Sequence, residues 1–179
     1  MRNVEMSDSK VCCRSVFEKS LFASALMIAA ALSTGPAEAI GVADPLRFFE
    51  GRTEMVSLVK VVMKKPFRSQ TIGQGYISPD GTLSLVQQVK EEGKQPRQRR
   101  WRIRQIGPGR YSGTMSEAIG PVQVRELGGK FRFTFSMKGN LAIEQWVTPL
   151  PDGKSAQSKI VVRKLGMRVA SSEGTIRKL

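Results

Sequence analysis

The chain has 179 residues, of which 29 are lysine or arginine and 15 aspartate or glutamate, giving a formal net charge of +14, and it contains no histidine. Its two cysteines stand side by side as Cys12 and Cys13, so neither a Cys/His transition-metal site nor a histidine-activated nucleophile can be assembled in the domain downstream. The length suits one domain with one sizeable core, and the excess of positive charge favours anionic surroundings.

The first element is a targeting segment. Arg2, Lys10, Arg14 and Lys19 precede an apolar run from Leu21 to Leu32, which Ser33-Thr34-Gly35-Pro36 ends ahead of Ala37-Glu38-Ala39. A basic stretch, a short apolar run and small residues make a secretory signal peptide, and the run is well short of the roughly 20 residues of a membrane-spanning helix. The expected organisation is a cleaved leader over residues 1–39, with Met6 as an alternative start, and one exported, periplasmic domain over residues 40–179. The leader carries four basic and four acidic residues, so the whole excess of +14 stays with the exported domain. Both cysteines leave with the leader, and none follows the apolar run to accept a lipid.

The domain opens with Asp44-Pro45, a helix start, and Gly51 ends the segment after barely two turns. A short helix or plug covering one end of the core is expected. Thr53 to Met63 is apolar on both alternating sets, which predicts a strand buried on both sides or covered by the opening helix. Phe67 to Ser78 follows Lys64-Lys65-Pro66, and Gly73 and Gly75 within it predict a bend or bulge. Pro79-Asp80-Gly81 turns the chain into Thr82 to Lys90, and a polar loop from Glu91 to Pro96 leads to Arg99 to Arg104, with Trp101 and Ile103 facing in. Gly107-Pro108-Gly109 turns into Arg110 to Ala118, and Gly120-Pro121 into Val122 to Leu127.

Beyond Gly128-Gly129, Lys130 to Met137 alternates without a break: Phe131, Phe133, Phe135 and Met137 on one face, Arg132, Thr134 and Ser136 on the other. A period of two is the signature of a half-buried antiparallel strand. Gly139-Asn140 leads to Leu141 to Pro149, Pro151-Asp152-Gly153 to Ser158 to Leu165, and Glu173 to Lys178 closes the chain. About ten short strands joined by tight turns, with no long amphipathic helix, predict an all-β antiparallel barrel or sandwich with a short N-terminal helix.

Catalytic candidates are few. Asp80 and Asp152 sit in Pro-Asp-Gly turns, which leaves Glu117, Glu126 and Glu144. Gly73-Gln74-Gly75 lacks the third glycine and the strand-to-helix context of a phosphate loop. No catalytic residue, metal or cofactor is assigned, and a non-enzymatic role is expected.

Several stretches taken together resemble the bacterial domain of unknown function 3833 family: Phe48-Phe49-Glu50-Gly51-Arg52, Trp101-Arg102-Ile103, Tyr111-Ser112-Gly113, Glu144-Gln145-Trp146-Val147, and Ser158-Lys159 through Lys164-Leu165-Gly166-Met167-Arg168-Val169 to Arg177-Lys178. The resemblance spans nearly all of the domain and implies an exported up-and-down, lipocalin-like barrel with no established activity. The chain departs from the family in having no lipid-accepting cysteine and in carrying Gln145 where an acidic residue is usual.

Two functions fit. A small barrel can hold one apolar or lipidic ligand in a cup lined by aromatic side chains, for which Tyr76, Trp101, Tyr111, Phe131, Phe133, Phe135 and Trp146 are the candidates; the same residues also serve simply as core. The alternative is docking on an anionic envelope surface. Alternation places Arg100, Arg102 and Arg104 together on an exposed strand face, suited to anionic lipid or polymer or simply to a solvated edge. Nucleic acid is not expected as a partner of an exported protein.

Overall fold

The computed structural model describes residues 44–179; the leader expected over residues 1–39 lies outside them. After a one-turn helix, α1 (Pro45–Phe48), the chain forms ten strands: β1 (Gly51–Val61), β2 (Phe67–Ile77), β3 (Leu83–Glu91), β4 (Arg97–Gly107), β5 (Arg110–Met115), β6 (Ala118–Leu127), β7 (Lys130–Met137), β8 (Leu141–Pro149), β9 (Ser155–Lys164) and β10 (Met167–Lys178). Each strand pairs antiparallel with its neighbours in sequence, and β1 pairs with β10 to close the sheet into a barrel. The all-β, up-and-down barrel with a short N-terminal helix is thus the architecture of the domain.

Alternation decides which side chains enter the core. On β7, Phe131 and Phe133 are buried and Phe135 packs against them, while Arg132, Thr134 and Ser136 point outward. Leu83 and Leu85 from β3, Trp101 and Ile103 from β4, and Val122 and Val124 from β6 complete the interior by the same rule.

The two ends of the barrel differ. At one end lie the turns at 78–82, 108–109, 128–129 and 150–154, and α1 closes it. Asp44 caps that helix, its Oδ1 accepting from the Leu46 amide at 3.0 Å, and Pro45 occupies the first helical position, where no amide hydrogen is needed. Leu46, Phe48 and Phe49 are buried beneath it, with Phe49 meeting Phe133 edge-on at 6.4 Å between ring centroids. The other end, bounded by the turns at 62–66, 92–96, 116–117, 138–140 and 165–166, is the open end.

Four local expectations are corrected. β1 is not covered on both sides: Val56 and Leu58 are exposed on its outer face. β2 carries no bulge, since its register with β1 and β3 runs unbroken through Gly73 and Gly75. Gly75 instead permits a close approach, because a Cβ there would stand 1.9 Å from the carbonyl oxygen of Phe49. The turn between β5 and β6 falls at Ser116-Glu117, whereas Gly120-Pro121 lies in a register shift within β6 between Ile119 and Gln123. β10 starts at Met167, six residues earlier than read, because Leu165 and Gly166 take positive φ and turn the chain there.

Candidate functional site

Two linked hollows occupy the barrel. The upper one, about 170 Å³, lies towards the open end, and the lower one, about 40 Å³, reaches down to Leu46 and Phe49. Met55, Thr71, Gln87, Trp101 and Gln145 line both, so they mark the waist between them.

The upper hollow has two unlike walls. Gln87 and Glu91 of β3 and Arg97 and Arg99 of β4 face inward on one side. Phe135, Met137, Ile143, Ile160 and Val162 of β7, β8 and β9 form the other, and in the order of the closed sheet β8 and β9 lie across the barrel from β3 and β4. Hydroxyls of Ser57, Ser69 and Ser172 fill in between.

The polar wall is an ion-pair chain. Arg97 donates from its terminal nitrogen to Glu91 at 2.8 Å, and its Nε lies 3.4 Å from Glu117. Arg99 donates through Nε to the second oxygen of Glu117 at 2.8 Å. Lys94 pairs with Glu91 and sits 4.9 Å above the Phe67 ring. Burial pushes the Glu91 carboxyl up, but the Lys94 hydrogen bond and the charges of Arg97, Lys94 and Arg99 outweigh it and hold it below the usual carboxylate range. Three cations facing two carboxylates leave the rim with one positive charge in excess. Deeper in, the Trp101 indole donates to Gln87 Oε1 at 2.8 Å. Because an indole N–H can only donate, this fixes the oxygen end of the Gln87 amide and leaves its NH₂ as a donor elsewhere.

The seven aromatic candidates divide by position. Trp101, Phe133 and Phe135 line the hollows, Trp101 meeting Phe135 edge-on at 5.6 Å. Tyr111 and Phe131 are packed into the core and line neither hollow; burial pushes the Tyr111 hydroxyl's pKa up, and the negative charges of Asp44 and Glu126 add to it. Tyr76 and Trp146 are corrections. Tyr76 falls between the inward positions Gly75 and Ile77 and is 63% exposed. Trp146 lies between the inward Gln145 and Val147, on the outer face, where its indole donates to Glu144 at 2.7 Å and Arg132 lies 5.8 Å from its ring. That indole hydrogen bond, outweighing burial and joined by Arg132 and Arg163, lowers the Glu144 pKa. Glu144 is therefore the hub of an outer-face cluster. Beside it an open surface groove of about 730 Å³ runs past Trp146, Thr148, Gln157 and Lys159; it is larger than the interior hollows but lies on the outer face, whereas they lie within the barrel.

Arg100, Arg102 and Arg104 stand exposed on the outer face of β4. Their cross-strand neighbours Val86, Ser84, Thr114 and Ser112 carry no charge, and the three arginines form no ion pair among the described residues. The inward Arg97 and Arg99 were missed as site residues, although they share the parity of Trp101 and Ile103. Gln87 and Glu91 likewise share that of Leu83 and Leu85. Among the described residues no group of three or more Cys, Asp or Glu is placed to hold a metal ion, and no helix is long and apolar enough to cross a membrane.

No family model and no curated protein matches the chain. Solved structures share its fold. The S-type phycobiliprotein lyase CPES of Guillardia theta superposes with a TM-score of 0.60 at 7% identity, over 75% of this chain and 90% of that one. A protein of unknown function from the DUF3598 family of Nostoc punctiforme gives 0.56 at 14% identity, over 75% of this chain and 48% of the other, about half its length. Rv2717c of M. tuberculosis gives 0.56 at 12% identity, over 75% and 94% of the two chains. At such identities the likeness is one of fold.

Proposed function

We propose that the protein is a lipocalin-like binder that takes a small, partly apolar ligand into the open end of its barrel, and that it does so after export through its leader, as a relative of the domain of unknown function 3833 family. One observation carries the binding reading: the upper hollow, about 170 Å³, lies between an apolar wall and a polar one, with Trp101 at its base. A volume near 30 Å³ per water makes this room for roughly five or six waters or a small organic molecule. The comparison with a phycobiliprotein lyase supports a barrel of the same shape, and no catalytic step is carried across from it. The chain has two tryptophans, so Trp146→Phe leaves Trp101 as its only indole. In that background hexanol should shift Trp101 emission, and adding Val162→Phe, which fills the hollow, should abolish the shift. An emission that ignores hexanol would overturn the reading.

A second reading rests on the outer face of β4, where Arg100, Arg102 and Arg104 are exposed without acidic partners among the described residues. Docking on an anionic envelope surface would use their combined charge, each contributing on the order of 1 kcal/mol near a membrane and screened by salt. Co-sedimentation with anionic vesicles should be retained at low salt and fall several-fold when all three become glutamine; a wild type that ignores such vesicles sinks it.

A further inference from the structure

We infer that the ligand of the upper hollow is a small anionic amphiphile, an acid whose apolar body lies on the β7, β8 and β9 wall and whose carboxylate is held by Arg99 and Gln87. The inference rests on the reading of the barrel as a ligand cup and names the chemical class that the cup selects.

Arg99 and Gln87 are direct cross-strand partners, and both face the hollow. Among the hydrogen bonds of the described residues, Arg99 contributes through Nε alone, to Glu117. Its two terminal nitrogens keep the planar fork that matches a carboxylate. Gln87 has its oxygen fixed by Trp101, so the group it can offer a ligand is an N–H donor. Two donor groups side by side define an acceptor site. A cation finds no such opening, because Glu91 already faces Lys94 and Arg97, and Glu117 faces Arg97 and Arg99.

The rim leaves room for the acid's charge. Glu117 sits in the β5–β6 turn with its side chain 26% exposed and holds Arg99 by Nε. An incoming carboxylate takes the two terminal nitrogens beside it and offsets the one positive charge that the rim carries in excess. Opposite the acid, Phe135, Met137, Ile143, Ile160 and Val162 offer the tail a dry surface. The excess of +14 across the chain draws such an acid towards the mouth.

The test compares three ligands of one length: hexanoate, hexanol and hexylamine, titrated by Trp101 emission in the Trp146→Phe background. Hexanoate should bind at least about tenfold more tightly than hexanol, as expected for a charge-assisted hydrogen bond in a sheltered site, and hexylamine most weakly. Arg99→Gln should bring hexanoate down to the level of hexanol while leaving hexanol unchanged, and Arg99→Lys should restore part of the preference. Equal binding of hexanoate and hexanol by the unsubstituted site overturns the inference and leaves the cup reading standing. Binding of none of the three overturns both. If Arg99→Gln loses hexanol as well, its fold is damaged, and the order of the three ligands on the unsubstituted site, together with Arg97→Gln, decides.

Discussion

The closed and open ends of the barrel are built by the same strands under the same alternation, yet their interiors are unlike. Along β4 the inward positions run Arg97, Arg99, Trp101, Ile103, and along β3 they run Leu83, Leu85, Gln87, Val89, Glu91. Going from the α1 end to the mouth, each strand passes from wholly apolar to largely polar within its own length. At the floor, Phe49 and Phe133 shut water out, so a polar side chain would lose its hydration without a partner. At the mouth, water and opposite charges are both at hand, and an inward arginine is tolerated. Alternation settles inside against outside; depth along the barrel axis settles where an inward charge is tolerated, while on β7, β8 and β9 the apolar interior continues to the mouth.

Substitutions can break this contrast. The largest effect is expected at the floor. Phe133→Ala should lower stability to urea unfolding by about 3 to 5 kcal/mol, as a buried aromatic truncation, whereas Thr134→Ala, next along and facing out, should stay near the few tenths typical of surface changes. Similar losses at both would break the alternation itself. Gly75→Ala comes next: its Cβ would press on the Phe49 carbonyl, and overpacking of this kind costs about 1 to 3 kcal/mol. Proteolysis near residue 49 should rise with it as α1 is unseated.

At the mouth the effects shrink. Arg97, its side chain 41% exposed, forms partly solvated pairs, so Arg97→Gln should cost below about 1 kcal/mol, checked by the same unfolding curves and weakening further in salt. The smallest signature is one of pH. Glu91 in the folded protein holds its proton less tightly than in the unfolded chain. The unfolded chain therefore takes up more protons as the pH falls below the ordinary glutamate value of about 4.3, and the stabilisation present above that value drains away as the pH drops through the folded one. Unfolding curves taken between about pH 6 and about pH 3 should show a shallower decline for Glu91→Gln than for the wild type; parallel declines would separate Glu91 from the ion-pair chain.

Much of the fold was legible because period-two alternation and Gly- or Pro-bearing turns are local signals. The phenylalanines of β7 needed no partner strand to be assigned a face. Parity also held the answer for Trp146 and Tyr76, but residue type competed with it, since a large aromatic reads as core. Here Glu144 and Arg132 give the Trp146 ring and its N–H a home on the outer surface. Arg97 and Arg99 were given no role, although their parity with Trp101 and Ile103 places them inside. Their partners, Glu91 across the β3–β4 hairpin and Glu117 in the next turn but one, lie close in the chain, but it takes the strand pairing, and not the residue pattern within one strand, to bring them alongside. Gly75 misled for the same reason, as it answers to a helix docked from 26 residues upstream in the chain, at Phe49.

The seam between β1 and β10 carries a kinetic consequence. Nine of the ten pairings join strands that follow one another in the chain, so each can form as a hairpin. The tenth brings Thr53 to Lys178 and Val61 to Ala170, across nearly the whole domain, and loop closure makes such distant contacts slow. The barrel should therefore zip from hairpin to hairpin and shut its seam last. Until it shuts, β1 and β10 each present an unsatisfied row of amides and carbonyls with Val56 and Leu58 alongside, able to pair with the same edge of another molecule. At high concentration the competitor of the self-closed barrel is then an exchanged dimer, in which the last strand of one chain closes the barrel of its neighbour.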